Sequence, residues 1–247
     1  MRKAKDEKPQ AEYGLLGIFA GLALVGLFSV ACASYVEAYR LRDSQFYFTK
    51  RHILYLVVSL VGAFFCSRFK PGSWKPVVCY IFFGVTAVFA LMVFIPGMGV
   101  TVNGAQRWVQ IGPLQIQPSE FLKLGMIVGM AAWLTTRKGN PRRLSPGFFI
   151  GSLMMVLSAT IVLKQDDLGT VLVLLLTGYS LLVAAGARSQ YLLGLGGLLV
   201  LLAVGAVVTK PYRIERVKAW LAPWEHKRDE SYQVTQSFYA FGEGGWR

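Results

Sequence analysis

Long apolar runs separated by short basic connections constrain this chain more than any other feature. We predict seven such runs, roughly at residues 13–36, 53–69, 76–95, 118–134, 146–164, 168–187 and 191–209. Runs of about 18 or more apolar residues with few charges are long enough to cross a bilayer. The runs lack the period-two alternation of barrel strands, so helices must satisfy their backbone groups. The sequence therefore predicts an all-α, polytopic membrane helix bundle that forms a single domain over residues 1–247.

The composition agrees with a membrane location. The chain is 54% hydrophobic, has a mean hydropathy of +0.47 and carries a net charge of +13. A charge of this sign can indicate nucleic-acid binding, but most basic residues lie in short segments between the apolar runs. There they determine topology and face anionic headgroups. We therefore exclude nucleic acid as a partner and expect the membrane instead.

Lys and Arg in the short connections favour a cytosolic N-terminus. This orientation places twelve basic residues in cytosolic segments, which include a tail at residues 1–12, and six in the short outer connections. Residues 13–209 then contain seven transmembrane helices, and residues 210–247 begin a large extracytoplasmic loop. That loop carries seven further basic residues, against the simple rule. Either a longer segment escapes the rule, or the charge of the loop has a use.

Two outer segments have amphipathic patterns. In 96–117, Trp108, Val109 and Ile111 alternate with polar residues, which fits a segment at the headgroup level. The second segment, "RIERVKAWLAPW", begins at Arg213. As a helix it would place its apolar side chains on one side, bordered by basic residues. That pattern predicts an amphipathic helix lying on the membrane, and an ordinary ordered loop is the alternative.

Three charges near the start of the fourth run are candidates for function. Glu120 and Lys123 are three residues apart and share a helix face, and Arg107 lies shortly before them. Lys123 could extend to the headgroups while Glu120 interacts with the helix N-terminus. Alternatively, the pair lines a polar cavity open to the outer face, since intramembrane charges often mark functional sites. Spacing alone leaves both interpretations open.

A second charged cluster occurs in "LKQDDLGT", which joins the fifth and sixth runs. Lys164, Asp166 and Asp167 stay near the membrane surface in this short turn. A solvated hairpin with an internal ion pair is the simplest interpretation. Because both clusters lie at the same membrane face, we expect them to share a site. A phosphate-bearing lipid would suit Arg107, Lys123 and the basic tail.

Three motifs carry a family resemblance: "GAQRWVQIGPLQIQPSEFLKL", "KQDDLGT" and "YQVTQSFYAFGEGGW". They resemble the SEDS family (shape, elongation, division and sporulation), which includes FtsW, RodA and SpoVE. The similarity runs collinearly from about residue 13 to residue 247. The wording "VNGAQRW" and "SFYAFGEGGW" favours the FtsW, cell-division branch over RodA.

The resemblance implies a peptidoglycan glycosyltransferase of the bacterial cytoplasmic membrane. Such enzymes polymerise lipid II, an undecaprenyl-pyrophosphate-linked disaccharide pentapeptide, on the outer face. Their implied partners are a class B penicillin-binding protein, which supplies the transpeptidase, and other divisome membrane proteins. No cofactor is certain, and a divalent cation is a candidate.

Residue by residue, the resemblance places functional positions at Arg107, Glu120, Lys123 and Asp167 as substrate-binding residues. The family turn usually reads Gln-Pro-Asp-Leu-Gly, and Asp166 replaces its proline here, which predicts a looser turn. The family has ten spans, and its proposed catalytic aspartate lies in a His-Thr-Asp-Phe segment. That segment is expected some twenty residues beyond Arg247, so we interpret the chain as an N-terminal fragment whose catalytic residue is unknown.

Two other functions remain open from the sequence. A flippase or transporter of the lipid-linked precursor would favour charges at the membrane midplane, whereas these charges lie near one face. A non-catalytic scaffold that recruits division proteins is the other alternative.

Overall fold

The computed structural model describes residues 13–42, 44–68, 74–102, 105–112, 114–136, 138–141, 146–225 and 231–244. The tail at 1–12 and the basic residues Arg137, Arg142 and Arg143 lie outside the described residues. The predicted orientation of the chain in the membrane depends on them, and it stays a prediction.

The chain divides into two compact units, Met1–Ser73 and Trp74–Arg247. The first unit contains α1 (Tyr13–Arg42) and α2 (Tyr47–Ser67). The second contains α3 (Pro76–Leu91), a 3₁₀ turn (Met92–Phe94), β1 (Gly99–Val102), β2 (Ala105–Ile111), β3 (Leu114–Ile116), α4 (Pro118–Leu134), α5 (Pro146–Leu163), α6 (Leu168–Ala184), α7 (Ser189–Val208), α8 (Pro211–Leu221) and α9 (Tyr232–Gly244). A helix lies at each of the seven predicted apolar runs, which confirms the polytopic helical bundle.

Five helices among the described residues are long and apolar enough to cross a membrane. They begin at Tyr13, Tyr47, Pro76, Pro146 and Ser189. Helix α6 is apolar but has 17 residues, and α4, also of 17 residues, carries two charges near its start. The count of seven transmembrane helices within 13–209 therefore stays a prediction.

The apolar side chains of α1 and α2 lie on the surface of their unit. Phe28 is 71% exposed and Phe65 is 62% exposed, and α2 contains no buried residue. Contiguous apolar surface of this kind is not compatible with water as the surrounding solvent. Hydrocarbon is the solvent that such helices require.

Prolines begin several helices of the second unit. Pro76, Pro118 and Pro211 occupy the first turns of α3, α4 and α8, where the missing N–H has no helical partner to lose. The same rule predicted the starts of α3, α4 and α5 from the sequence.

The core of the second unit lies between α3, α4, α5 and α6. Its fully buried side chains include Met126 and Met130 of α4 and Met155 of α5. Helix α4 approaches α3 closely through Gly125 and Gly129, one turn apart. A Cβ atom added at Gly125 would lie 2.0 Å from the hydroxyl oxygen of Thr86 on α3. Small residues four apart are a common device for close helix packing in membranes.

A small three-stranded sheet separates α3 from α4, a feature that the sequence reasoning did not predict. The strands are antiparallel in the order β1-β2-β3, with Val109 of β2 opposite Gly99 and Ile116. Ala105 and Val109, on one face of β2, are buried, whereas Ile111, at the end of the same face, is 53% exposed. The alternation noted in this segment thus belongs to a strand whose first part is buried on one face.

The segment after α7 forms two helices, α8 and α9. Helix α8 confirms the predicted amphipathic helix, and Trp220 and Leu221 on it are 73% and 70% exposed. Trp224, after α8, contacts Phe238 of α9 with ring centroids 5.8 Å apart. Whether α8 lies on a membrane is not tested by the structure, and this stays a prediction.

Candidate functional site

Three connections of the second unit meet at one end of its helices. They are the sheet before α4, the turn between α5 and α6, and the start of α8. Arg107 of β2 donates a 2.5 Å hydrogen bond to the backbone carbonyl of Asp166, and its guanidinium lies 3.8 Å from the carboxylate of Asp167. The sheet therefore brings Arg107, 59 residues away in sequence, onto the turn between α5 and α6.

Asp167 organises the start of α6. As its N-cap, the carboxylate accepts hydrogen bonds from the backbone N–H of Thr170 at 3.1 Å and from the Thr170 hydroxyl at 2.9 Å. Gln117, just before α4, donates a third bond to it at 3.1 Å. Both carboxylate oxygens are thus occupied, and the side chain is only 10% exposed. These contacts fit a residue that fixes the start of α6.

Asp166 is the central residue of the turn. It has a positive φ of 58°, the only such angle among the described non-glycine residues. Proline has φ near −65° and could not adopt this conformation. The looser turn stays a prediction; in the structure, the Asp166 carboxylate pairs with Lys210 and with Arg213 at 3.0 Å. The hydrogen bond from Lys210 lowers the pKa of Asp166 below its ordinary value, and the charge of Arg213 adds to this effect.

Arg213 ties α8 to the rest of the unit. Its side chain is only 6% exposed. It donates to the Ala206 carbonyl of α7 at 2.6 Å, to the Tyr212 hydroxyl at 3.1 Å, and to Asp166. A buried guanidinium needs this degree of pairing, because an unpaired buried charge is costly. The start of α8 is therefore fixed over the turn between α5 and α6.

A cavity of about 400 Å³ lies between these elements. Its lining residues come from β2, the turn and first residues of α6, and α8: Arg107, Asp166, Asp167, Leu168, Gly169, Tyr212, Arg213, Arg216, Val217 and Trp220. Arg216 is exposed and forms no ion pair among the described residues, although its guanidinium lies 5.7 Å from the Tyr212 ring centroid. The lining has three arginines and two aspartates, so it keeps a net positive charge. With its two aromatic side chains it is suited to an anionic ligand with a polar, ring-bearing group.

Glu120 and Lys123 form the expected ion pair on α4, with Lys123 Nζ 2.8 Å from Glu120 Oε1. Their side chains are 53% and 25% exposed, so the pair lies at the surface of the unit. Neither residue is among those that line the 400 Å³ cavity. The structure thus joins Arg107 and Asp167 in one site and leaves Glu120 and Lys123 outside it, and their assigned roles in substrate binding stay predictions.

Several residues of this site were not singled out from the sequence. Lys210 was considered only as part of the basic tail, Arg213 and Arg216 only as residues that border the apolar side of the amphipathic helix, and Tyr212 was not considered. The usable signal was the excess of basic residues in a segment that topology places outside, where the positive-inside rule expects few. The simple hairpin interpretation was wrong for Lys164, which forms no ion pair in the described part of the chain.

The side chains that the structure describes do not form a metal site. In these ranges no group of three or more His, Cys, Asp or Glu side chains comes together. The divalent cation stays an untested candidate.

Comparison with known proteins identifies the fold. Residues 13–247 match the family described as "Cell cycle protein" (FTSW_RODA_SPOVE). Over 97% of its length the chain is 36% identical to the "Probable peptidoglycan glycosyltransferase FtsW" of Aeromonas salmonicida, of which it covers 60%. It is 35% identical to the "Stage V sporulation protein E" of Bacillus subtilis, with 91% of this chain and 61% of that protein covered.

A solved structure agrees with these relatives. It is described as "Structural coordination of polymerization and crosslinking by a peptidoglycan synthase complex". The match has a TM-score of 0.71 and 28% identity, and it covers 92% of this chain and 63% of that one. The chain thus spans about three fifths of the length of the curated relatives it matches. The family match over residues 13–247, together with this helical architecture, means that the chain belongs to the FtsW, RodA and SpoVE family of cell cycle membrane proteins.

Proposed function

We propose that this chain forms the substrate-binding part of a peptidoglycan glycosyltransferase that polymerises lipid II into glycan strands during cell division. The observation that carries the proposal is the cavity lined by Arg107, Arg213 and Arg216 in a member of this family. Lipid II carries a pyrophosphate, and arginine is the side chain best suited to bind it through paired hydrogen bonds.

The arginines have different roles in this proposal. Arg213 is buried and neutralised by Asp166, and Arg107 is held by the turn and by Asp167, so both shape the wall. Arg216 is exposed, lines the opening and forms no ion pair with the residues that the structure describes. In glycosyl transfer, the acceptor hydroxyl attacks the anomeric carbon while the pyrophosphate leaves with its electron pair. Cations at the leaving group stabilise the charge that develops there.

The proton of the acceptor hydroxyl needs a carboxylate base. Neither aspartate of the cavity suits this role. Asp167 already accepts hydrogen bonds on both oxygens, and the pairing of Asp166 with Lys210 lowers its pKa and makes it a weak base. These contacts support the expectation, from the family resemblance, that the base is an aspartate of the His-Thr-Asp-Phe segment.

The proposed location is the bacterial cytoplasmic membrane, with a cytosolic N-terminus and the cavity at the outer face. Lipid II presents its disaccharide there for polymerisation. The proposed partners are a class B penicillin-binding protein and other membrane proteins of the divisome. The description of the matched structure as a synthase complex that coordinates polymerization and crosslinking supports such a partner.

The test is a glycan-strand gel assay with purified lipid II and a version of the chain extended through the His-Thr-Asp-Phe segment and the remaining spans. Arg216→Gln should reduce polymerisation roughly tenfold or more, because a hydrogen bond to a charged group contributes about 1.5–3 kcal/mol. Lys218→Gln is the matched control, since Lys218 lies on the same helix but pairs with Glu215 outside the cavity. Equal activity of the two variants would refute the proposed role of the cavity.

The same preparation distinguishes the alternative functions. A protein that moves labelled lipid II across vesicles without forming glycan strands would be a flippase, and the proposal would be wrong. A protein that forms no strands and transports no lipid, even with its partner transpeptidase present, would indicate a scaffold.

A further inference from the structure

Three cations surround the ring of Tyr212 at the start of α8. The Nζ atom of Lys210 lies 5.9 Å from the ring centroid, and the guanidinium carbons of Arg213 and Arg216 lie 5.6 Å and 5.7 Å from it. Tyr212 also lines the cavity of about 400 Å³, which we call the arginine-lined cavity. Its ring is therefore a common neighbour of three positive charges at the proposed substrate site.

The three cations differ in how their charge is balanced. Lys210 and Arg213 share the carboxylate of Asp166. Arg216 is exposed and forms no ion pair with the residues that the structure describes. An aromatic ring attracts a cation through the negative potential over its face. Among the described residues, the ring of Tyr212 is thus the partner that the Arg216 guanidinium has.

Helical spacing explains why this contact forms. Tyr212 and Arg216 are four residues apart in α8, and side chains at this spacing are neighbours on one helix face. The Tyr212 hydroxyl accepts a 3.1 Å hydrogen bond from Nε of Arg213, whose side chain is buried, and this bond restrains the ring. The ring is therefore a fixed surface beside a long side chain that has several rotatable bonds.

We propose that Tyr212 is a positioning residue whose ring face holds the Arg216 guanidinium at the arginine-lined cavity, ready for the diphosphate of the substrate. This inference rests on the proposed function and adds a residue to it. An arginine side chain loses rotamer entropy when it binds an anion, and a side chain that is already restrained loses less. The ring supplies no carboxylate, so it restrains Arg216 and leaves the positive charge available to the anion.

The test measures the binding of inorganic pyrophosphate to the chain in nanodiscs of phosphatidylcholine, a zwitterionic lipid. Tyr212→Leu removes the ring and the hydroxyl, whereas Tyr212→Phe removes the hydroxyl alone. Tyr212→Leu should weaken pyrophosphate binding about two- to fivefold, the fold-change that corresponds to a cation–π contact at an exposed site. Tyr212→Phe should restore most of this loss, because it differs from Tyr212→Leu in having the ring.

Two further comparisons separate the positioning of Arg216 from a purely structural role of the ring. In a chain that already carries Arg216→Gln, Tyr212→Leu and Tyr212→Phe should bind pyrophosphate equally, because the cation that the ring positions is gone. Difluoro- and trifluorophenylalanine at position 212 should weaken pyrophosphate binding stepwise, since fluorine withdraws negative charge from the ring face. The same residues in place of Phe241 are the control and should change nothing, because Phe241 is 80% exposed and does not line the cavity.

Each other outcome contradicts a defined claim. If Tyr212→Leu binds pyrophosphate like the unchanged chain while Arg216→Gln weakens it, the ring does not position Arg216, and the proposed function stands. If Arg216→Gln leaves pyrophosphate binding unchanged, the proposed function fails and this inference fails with it. Equal losses in Tyr212→Phe and Tyr212→Leu would assign the effect to the hydroxyl. A difference between these two variants that persists in the Arg216→Gln chain would assign it to the structure of α8. Either result overturns the inference.

Discussion

The ion pair between Asp166 and Arg213 should be strongly coupled, and a double-mutant cycle can measure the coupling. Asp166→Asn retains a residue type that tolerates positive φ and removes only the charge. Arg213 then faces a neutral amide oxygen in place of a carboxylate, and it keeps its hydrogen bonds to Ala206 and Tyr212. The Arg213 side chain is 6% exposed, so screening by solvent is weak on its side.

The magnitude follows from these exposures. Removing one partner of a fully buried pair costs about 3–5 kcal/mol, and an exposed pair contributes about 0–1 kcal/mol. Asp166 is 32% exposed and also pairs with Lys210, which shares the loss. We therefore expect Asp166→Asn to lower the free energy of unfolding by about 1.5–3 kcal/mol, and the coupling with Arg213→Met to be about 1–2 kcal/mol.

The assay is equilibrium unfolding of the chain in mixed detergent micelles, followed for both single variants and the double variant. The pair between Lys218 and Glu215 on α8 is the matched control, because its side chains are 58% and 44% exposed. Its coupling should stay near or below about 0.5 kcal/mol. If the coupling of Asp166 with Arg213 is no larger than that of the control pair, α8 is not fixed to the turn in the way described.

Three further predictions concern packing, capping and pH. Gly125→Ala should lower the free energy of unfolding by about 1–3 kcal/mol, because the added Cβ would lie 2.0 Å from the Thr86 hydroxyl oxygen. Gly84→Ala is the control and should cause no such loss, because nothing lies within 4 Å of a Cβ added there. Similar losses in both variants would contradict the close packing of α3 and α4. Asp167→Ala should lower the free energy of unfolding by about 0.5–2 kcal/mol, because the N-cap of α6 is lost. Asp167→Asn should keep most of the capping stabilisation in the same unfolding assay. An equal loss in the two variants would argue against a capping role. The pKa of Asp166 is lowered in the folded chain, so its contribution to the free energy of unfolding is complete above pH about 5 and is lost as the pH falls below about 4. The difference in the free energy of unfolding between the unchanged chain and Asp166→Asn should therefore be constant between about pH 5 and 8. A decline of this difference toward pH 8 would contradict the prediction.

The helices could be predicted from the sequence because their causes are local. Apolar runs of membrane length and prolines at first turns placed α3, α4 and α5 within a few residues of their observed starts. The helical spacing of apolar residues in "RIERVKAWLAPW" likewise predicted α8. Signals of this kind depend on residues that are close in sequence, so they predict a helix without knowledge of its tertiary contacts.

The sheet was missed although its signals were present. Trp108, Val109 and Ile111 alternate with polar residues, and Gly112 has the positive φ of 59° that suits a tight turn between β2 and β3. Asn103 and Gly104, a pair typical of hairpin turns, lie between β1 and β2 and outside the described residues. The same alternation is also typical of a segment that lies at the membrane surface, so this pattern alone does not distinguish the two.

The candidate site depends on contacts that no local pattern contains. Asp166 pairs with residues 44 and 47 positions later, and Arg107 reaches the turn 59 positions later. Lys164, in the same turn, forms no ion pair with Asp166 or with any other residue that the structure describes. Helical periodicity placed Arg213 at the border of the apolar face of α8, yet tertiary packing buries it against α7. Only the approach of three connections at one end of the bundle decides these pairings.

The most direct measurement is a cryo-electron microscopy structure of the chain in a nanodisc with undecaprenyl pyrophosphate bound. The account predicts density for the diphosphate in the arginine-lined cavity, within hydrogen-bonding distance of Arg216. Diphosphate density beside Lys123 on α4, with the arginine-lined cavity empty, would contradict it.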